Sequence, residues 1–438
     1  MKSVRFVSFF LTLCLLCTGC NSAPETPEAS AGESTHAGQA AVSFPVDPAL
    51  PMALVDLNGY ETGGEKIVLF RELEAGDSFE IRKVIDDSVV YTGAVRAHPG
   101  SGAMCYGRFK DFQSSGSYYI YNDRIGTSYA FRIGADLYAE LFDLSLQQMY
   151  ASHCVTAAGG SGDIVTVCGA LRDLLLSYEM QPQRFQETAE SANGIPDVLD
   201  EAGVAVEWLL RMQDTQEGGI LPETTVLVSG VLAKFAYVYG AFDETRAEEV
   251  LARGQSAWEA YTAVRAPLQE SAAFAAAAEL YRITGERKYE MVLGGFFSRE
   301  DFGALLAEDM EIFYGSAVYL ETNQPVNPEV CNAIRTYMEE DTARIAATAT
   351  NAAYLVSAED TDKLLSEALH LCVMNHFIFR QERVEIMENI VHYLGGRNPA
   401  ATDYITESSE NSWKKTGAQP LFASLPHTAR LVLLLAAL

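Results

Sequence analysis

Several absences constrain this chain before any motif is read. Tryptophan occurs only as Trp208, Trp258 and Trp413 in 438 residues. Flat aromatic faces that could stack on a sugar are therefore scarce. Positive charge is also scarce, with 31 Lys and Arg against 59 Asp and Glu and a formal net charge of −28. That balance repels phosphate backbones and anionic headgroups, so nucleic acid is excluded as a partner while neutral polymers remain acceptable. Cysteine beyond Cys20 is limited to Cys105, Cys154, Cys168, Cys331 and Cys372. They are odd in number and widely spaced, with no CxxC pair or neighbouring His cluster, which argues against a disulfide framework or a zinc ribbon. They read as buried thiols, and neither a metal nor a cofactor is expected.

Long apolar runs are missing too. The one at the N-terminus, Phe6 to Leu16 in "MKSVRFVSFFLTLCLLCTGC", is too short to span a bilayer as a mature helix. Lys2 and Arg5 precede it and Thr18-Gly19-Cys20 follow it, which is the layout of a secretory signal ending in a lipoprotein-type box. Residues 1–20 are thus expected to be removed, leaving Cys20 lipidated and the protein held by that lipid on the extracytoplasmic side of a bacterial membrane. Loss of Lys2 and Arg5 takes the charge from −28 to −30. Residues 21–45 are rich in Ala, Ser, Glu, Pro and Gly and read as a flexible linker.

What is present is 48% hydrophobic content, enough for a large core and a second small one. Over 46–134 short alternating runs, "KIVLF", "SFEIRKV", "SVVYTGAV", "GSYYIYN" and "TSYAFRIG", are broken by Gly and Asp. This spacing suggests a small β-sandwich. From 135 to 438 the period is helical, with runs near 136–153, 164–180, 196–213, 225–240, 245–263, 270–284, 286–295, 313–321, 328–356, 361–378, 382–394 and 425–438. Periodicity leaves open whether the paired helices form a bundle, a solenoid or a closed α/α barrel.

Three stretches carry a family resemblance. "NGIPDVLDEAGVAVEWLLRMQD", Asn193 to Asp214, resembles the helix after the active-site loop of glycoside hydrolase family 9. "HYLGGRNPAATDYI", His392 to Ile405, is similar to that family's late "HYLLGRNPLGxSYV" segment. "DLNGYETGGEKIVLF" and "DFQSSGSYYIYNDRIGTSYAFRIGADLYAEL" look like the immunoglobulin-like module that precedes the catalytic module in many members. The resemblance implies an all-α (α/α)6 barrel over 135–438, preceded by a small all-β immunoglobulin-like sandwich over 46–134. It also implies inverting hydrolysis of a β-glucan, in which one carboxylate activates water and another protonates the leaving oxygen.

The family takes the base from a "DAGDY" loop and the acid from the Glu of a "NEVAIDYNA" segment. Here the loop is reduced to "VTAAGGSGDIVTVCGALR", where Asp163 aligns with the second Asp by its "GD" or is displaced if the following helix register is kept. Asp163 reads as that base or as the N-cap of the helix from Ile164. Alignment of the last helix places Leu421-Phe422 on the Asn-Glu pair and His427 on the aromatic of "DYNA", and the family's His-Arg segment has no counterpart. Glu407 and Glu410, in "ITESSENSW", are the substitute candidates for the acid. Trp413 and Tyr404 are the stacking candidates, and Arg397, with Asn398 and Pro399, matches the family's Gly-Arg-Asn-Pro turn as a substrate-binding candidate. Asp197, Asp200 and Glu201 suit a helix start after Pro196, Trp208 and Trp258 sit in helical runs, and His376 and His427 read as packed or capped side chains. The expected function is a surface-anchored, family 9-like protein associated with β-glucan or cellulose and catalytically impaired. Alternatives are an active inverting endo-β-glucanase with relocated carboxylates and a structural lipoprotein without glycan affinity. The role of the impaired form would be carbohydrate binding or scaffolding, and the sequence does not identify a protein partner.

Overall fold

The computed structural model of the chain describes residues 50–98, 100, 104–152, 163–186, 193–214, 222–264 and 269–438. The signal segment with Cys20, the linker over 21–45 and Cys154 lie outside the described residues.

The β-region comprises β1 (Ala53–Leu54), β2 (Tyr60–Glu61), β3 (Ile67–Phe70), β4 (Ser78–Lys83), β5 (Val89–Ala97), β6 (Cys105–Arg108), β7 (Gly116–Asn122), β8 (Gly126–Thr127) and β9 (Phe131–Gly134). They hydrogen-bond in the order β1-β3-β6-β5-β4-β7-β9-β2, with β8 on β7. The long β5 couples the two halves: Val89–Ala94 pair with β4 and Val95–Ala97 with β6. The sheet therefore curls continuously around its core. Period-2 alternation turns Phe79 and Ile81 of β4, Tyr118 and Ile120 of β7, and Phe131 and Ile133 of β9 inward. Gly93 and Gly107 make room for Phe79, since a Cβ at either would lie 2.3 Å from its ring. The two-residue strands β1 and β2 are too short to alternate, so the sequence does not announce them.

The helices are α1 (Leu137–Ser152), α2 (Ile164–Met180), α3 (Asp197–Asp214), α4 (Pro222–Tyr239), α5 (Glu244–Val264), α6 (Glu270–Thr284), α7 (Arg287–Phe297), α8 (Phe302–Glu308), α9 (Met310–Glu321), α10 (Pro328–Asn351), α11 (Thr361–Phe377), α12 (Gln381–Leu394), α13 (Trp413–Thr416) and α14 (Leu425–Ala437). Most boundaries follow the helical period. Of those that do not, two have local reasons. Helix α9 begins at Met310 rather than near 313 because Asp309 caps it, accepting from Glu311 N at 2.9 Å. Helix α10 stops at Asn351 rather than near 356, where Ala352 is extended and Leu355 has φ of +60°.

Helix α2 packs on α4, α4 on α6, α6 on α9, α9 on α11, α11 on α14, and α14 on α2. These helices form a closed cycle. Their apolar residues are buried together, among them Leu171, Leu174 and Leu175 of α2 and Leu431 to Leu435 of α14. Each large apolar side chain so buried contributes about 1.5–3 kcal/mol. Bonds from Arg430 of α14 to Asp173 of α2 and to Ser366 of α11 join those three helices. Helices α9, α11 and α14 begin at one end of the cycle, where Met310, Lys363 and Pro426 line one opening.

Candidate functional site at the N-terminal ends of the inner helices

A cavity of about 920 Å³ opens at that end. Helices α9, α11 and α14 present their first turns to it through Met310, Lys363 and Pro426. Its wall is largely polar or charged, and its one aromatic ring is the imidazole of His370. That ring is held from two sides: Nδ1 lies 2.7 Å from Asp341 Oδ2 of α10, and Phe313 of α9 stacks on it at 3.8 Å between centroids. Burial raises the Asp341 pKa, but bonds from His370 and Arg344 outweigh it and hold the carboxyl below its ordinary value. His370 Nε2 is buried and unpartnered.

Arg430 is fixed just as firmly. Its Nε donates to Asp173 Oδ2 at 3.2 Å and its Nη1 to Ser366 Oγ at 2.9 Å. Glu367 accepts from Ser357 Oγ, and Asp362 Oδ1 lies 2.5 Å from His427 Nε2. In the first turn of α9, Glu311 is fully buried with both carboxyl oxygens unpartnered. Burial lifts its pKa well above the ordinary range, with the charge of Arg172 pulling the other way.

The opposite end of the cycle is filled by buried charge. Arg282 Nη2 donates to Glu279 Oε2 at 2.6 Å, its Nη1 lies 3.3 Å from Glu179 Oε1, and Lys234 Nζ is 3.7 Å from Glu179 Oε2. Burial pushes Glu179 up and Lys234 down in pKa, each against the pull of its opposite charges. His376 lies at this end, 3.5 Å from Glu321.

The residues singled out in the sequence fall in several different places. Asp163 caps α2: Oδ1 accepts from Val165 N at 3.1 Å and Oδ2 from Thr166 Oγ1 at 2.9 Å. Glu407 is exposed and paired with Lys414 at 2.7 Å, whereas Glu410 accepts from Ala130 N of the β-region at 3.2 Å. Trp413 starts α13 with its indole Nε1 buried and unpartnered. Tyr404 is partly buried, its backbone bonded to Leu394 and Leu421. Phe422 lies in the short turn before α14, packed against the helical core. Asp200 accepts from Asn193 Nδ2, Glu201 and Trp258 are buried, and Trp208 packs partly buried against the core.

Arg397 lies elsewhere. It is fully buried where the curled sheet meets the exit of α12, with Nη2 donating to Asn389 Oδ1 at 2.6 Å. Around it, His392 Nδ1 is 2.7 Å from Asp56 Oδ2, Leu57 N donates to Gly395 O at 2.9 Å, and Arg71 Nη2 donates to Pro399 O at 2.5 Å. Asn398 holds the turn through Tyr393 O and Thr402 O, both at 2.7 Å. Burial pushes the Asp56 carboxyl up to about 8, against bonds from backbone N–H groups and the Arg397 charge. Burial and that same charge hold His392 well below its ordinary range. Gly396, Arg397 and Asn398 of the turn are thus buried against the β-region, with Pro399 at its rim.

Sequence reasoning missed Asp173, Asp341, His370, Arg430 and Glu311. Their signal was weak: Asp173 and Arg430 are polar positions set in apolar windows, "ALRDLLL" and "TARLVLLL", while Asp341 and Glu311 sit among other acids in "MEEDTAR" and "AEDMEIF".

No family profile matches this chain, and no curated protein is similar to it. Solved structures are similar in fold. A metagenome-derived glycoside hydrolase family 9 endoglucanase superposes with a TM-score of 0.74 at 18% identity, covering 88% of this chain and 98% of that one. AaCel9A, solved with a cellobiose-like isofagomine, gives 0.70 at 18% identity, covering 84% and 85%. A Bacteroides ovatus family 9 protein gives 0.70 at 14% identity, covering 88% and 98%. The fold is that of glycoside hydrolase family 9.

Proposed function

We propose that this chain is a carbohydrate-associated protein of the family 9 type that has lost hydrolysis, with its helices read as a six-hairpin α/α barrel and its curled sheet as the immunoglobulin-like module. The observation that carries the reading is the state of the two catalytic positions. Asp163 spends both carboxyl oxygens on the start of α2. Phe422, on the aligned acid position, has no proton to give. Inverting hydrolysis needs both groups at once, on opposite faces of the bond. Glu407 and Glu410 do not replace the acid, because one is tied to Lys414 and the other to the β-region.

The lipid on Cys20 and the acidic linker would keep the folded part outside the membrane, close to cell-surface or imported polysaccharide. The test is electrophoresis through gels containing mixed-linkage β-glucan, soluble cellulose derivative or polygalacturonate, with reducing ends measured in the same lanes. Retarded migration in at least one gel without new reducing ends is expected. Reducing ends would make the protein a hydrolase, and unretarded migration in every gel would make it a structural lipoprotein without glycan affinity.

A further inference from the structure

We propose that the free edge of β5, with the apolar turn that precedes it, is a docking surface for a second copy of this chain, joined by antiparallel pairing of the two β5 edges. Among the described residues, large hydrophobic side chains left exposed gather at this hairpin: Val84 at 48%, Ile85 at 88% and Val89 at 48%. Ile85 is the most exposed of all such residues. From Val89 to Gly93, β5 pairs on one side only, with β4, because β6 takes the other side from Val95 onward. The backbone groups on that free side have no strand to bond among the described residues. An edge of this kind pairs with another strand unless charge or proline keeps it apart. Val89-Val90-Tyr91-Thr92-Gly93 holds neither.

Charge identifies the occupant as the chain itself. Residues 135–438 hold 44 Asp and Glu against 20 Lys and Arg, so two copies repel through their helices, whereas residues 46–134 hold 12 against 9 and set up little such field. The helices meet the β-region through β1, β2 and β3, while the β4–β5 hairpin lies midway along the strand order. Antiparallel pairing also complements charge locally. It brings the turn at the start of one β5, with Asp86 and Asp87, toward the end of the other, with Arg96. Asp86 and Arg96 are both exposed, Asp86 bonds only Ser88 of its own turn, and neither has an ion-pair partner among the described residues. A two-fold axis forms that pair twice. A basic partner of another kind would match the two aspartates and leave Arg96 opposed by its own sign. The contact is small against the roughly 800 Å² per partner of a stable interface, so Kd is on the order of 10–100 µM. On the carbohydrate reading above, a dimer holds one polymer at two points, but the association itself stands apart from that reading.

Sedimentation equilibrium of residues 21–438, which include every described element, tests the assignment between about 1 and about 500 µM. The mass is expected to rise from that of a monomer toward twice that value. Ile85→Asp is expected to weaken association at least about tenfold. Phe379→Asp, which removes another exposed apolar side chain from the turn between α11 and α12, is expected to leave it unchanged. Arg96→Glu is expected to weaken association about tenfold, and exchange of both charges, Arg96→Glu with Asp86→Arg, to restore it. All four positions are exposed, so the variants keep the fold, which a cooperative melt checks. A monomer at every concentration would overturn the inference. So would a dimer that Ile85→Asp or Arg96→Glu leaves intact, one that Phe379→Asp weakens as much as Ile85→Asp does, or one that the double exchange does not restore. None of these outcomes bears on glycan binding, which the gels test separately.

Discussion

The β-region interface and the cavity both hold charged groups out of water, but they use them differently. At the interface the groups are turned on one another: Asp56 on His392, Arg397 on Asn389, and the carbonyls of Gly395 and Pro399 on Leu57 and Arg71. In the cavity charged side chains line an open volume of about 920 Å³, whereas at the interface even the atoms left without a hydrogen-bond partner among the described residues, His392 Nε2 and Arg397 Nε and Nη1, are enclosed. The residues that most resemble family 9, His392 to Ile405, belong to the first region. The resemblance is therefore a statement about how the β-region and the helices are joined, and it carries fold further than it carries catalysis.

Breaking the interface should have the largest effect on stability. Asp56→Ala leaves His392 and the Asn58 N–H without their partner beside a buried site, and is expected to cost about 1–3 kcal/mol in urea unfolding. Lys363→Met in the cavity should change stability by less than about 0.5 kcal/mol. If the two costs are equal, the contrast between the regions fails.

The same pair gives a pH signature. The folded Asp56 pKa of about 8 stands above the ordinary 3.8, so between those values the folded state holds a proton that the unfolded state has released. Stability from this group is complete below about pH 4 and is lost as pH rises to about 8, at up to about 1.4 kcal/mol per pH unit. Glu388, pushed up to about 7 chiefly by burial, adds a loss of the same sign below pH 7. The groups acting on Asp56 are His392, Arg397 and Tyr60. Thermal melts from pH 5 to 8.5 should therefore show a shallower decline for Asp56→Asn than for the unmodified chain.

Smaller effects sharpen the reading of the lost site. Asp163→Ala removes a cap and should cost about 1 kcal/mol, seen as a modest drop in urea midpoint. Glu407→Gln dissolves an exposed pair with Lys414 and should change stability by less than about 0.5 kcal/mol. A Glu407→Gln cost well above that would place this loop under tension from a contact other than the ion pair.

Much of the fold was legible in the sequence. Helical periods placed α2, α6 and α12 within a residue or two, since amphipathic stripes and caps such as Asp163 and Gly285 are local signals. The strands β1 and β2 and the helices α8 and α13 were missed because each is too short to show a period, and β6 because "CYGR" has no apolar alternation. The candidate site was far less legible. Asp341 and His370 meet across α10 and α11, and Asp173 and Arg430 across α2 and α14, so each pair forms only when distant helices pack. In one dimension nothing marks them: Asp341 follows Glu339 and Glu340, and Asp173 and Arg430 are charges set in apolar helical runs. Arg397 shows the converse: a motif read as substrate-binding lies buried under the neighbouring module, because a Gly-Arg-Asn-Pro turn supplies carbonyls and a guanidinium equally well to a protein surface.

The central claim is that the catalytic pair is gone while the fold remains. It is tested most directly by measuring reducing ends released from soluble mixed-linkage β-glucan and amorphous cellulose by the intact protein and by Asp163→Ala. The account gives no release by either, from chains that both melt cooperatively. Release by the intact protein that Asp163→Ala abolishes would contradict it, making Asp163 the base of a working hydrolase whose acid lies elsewhere in the cleft.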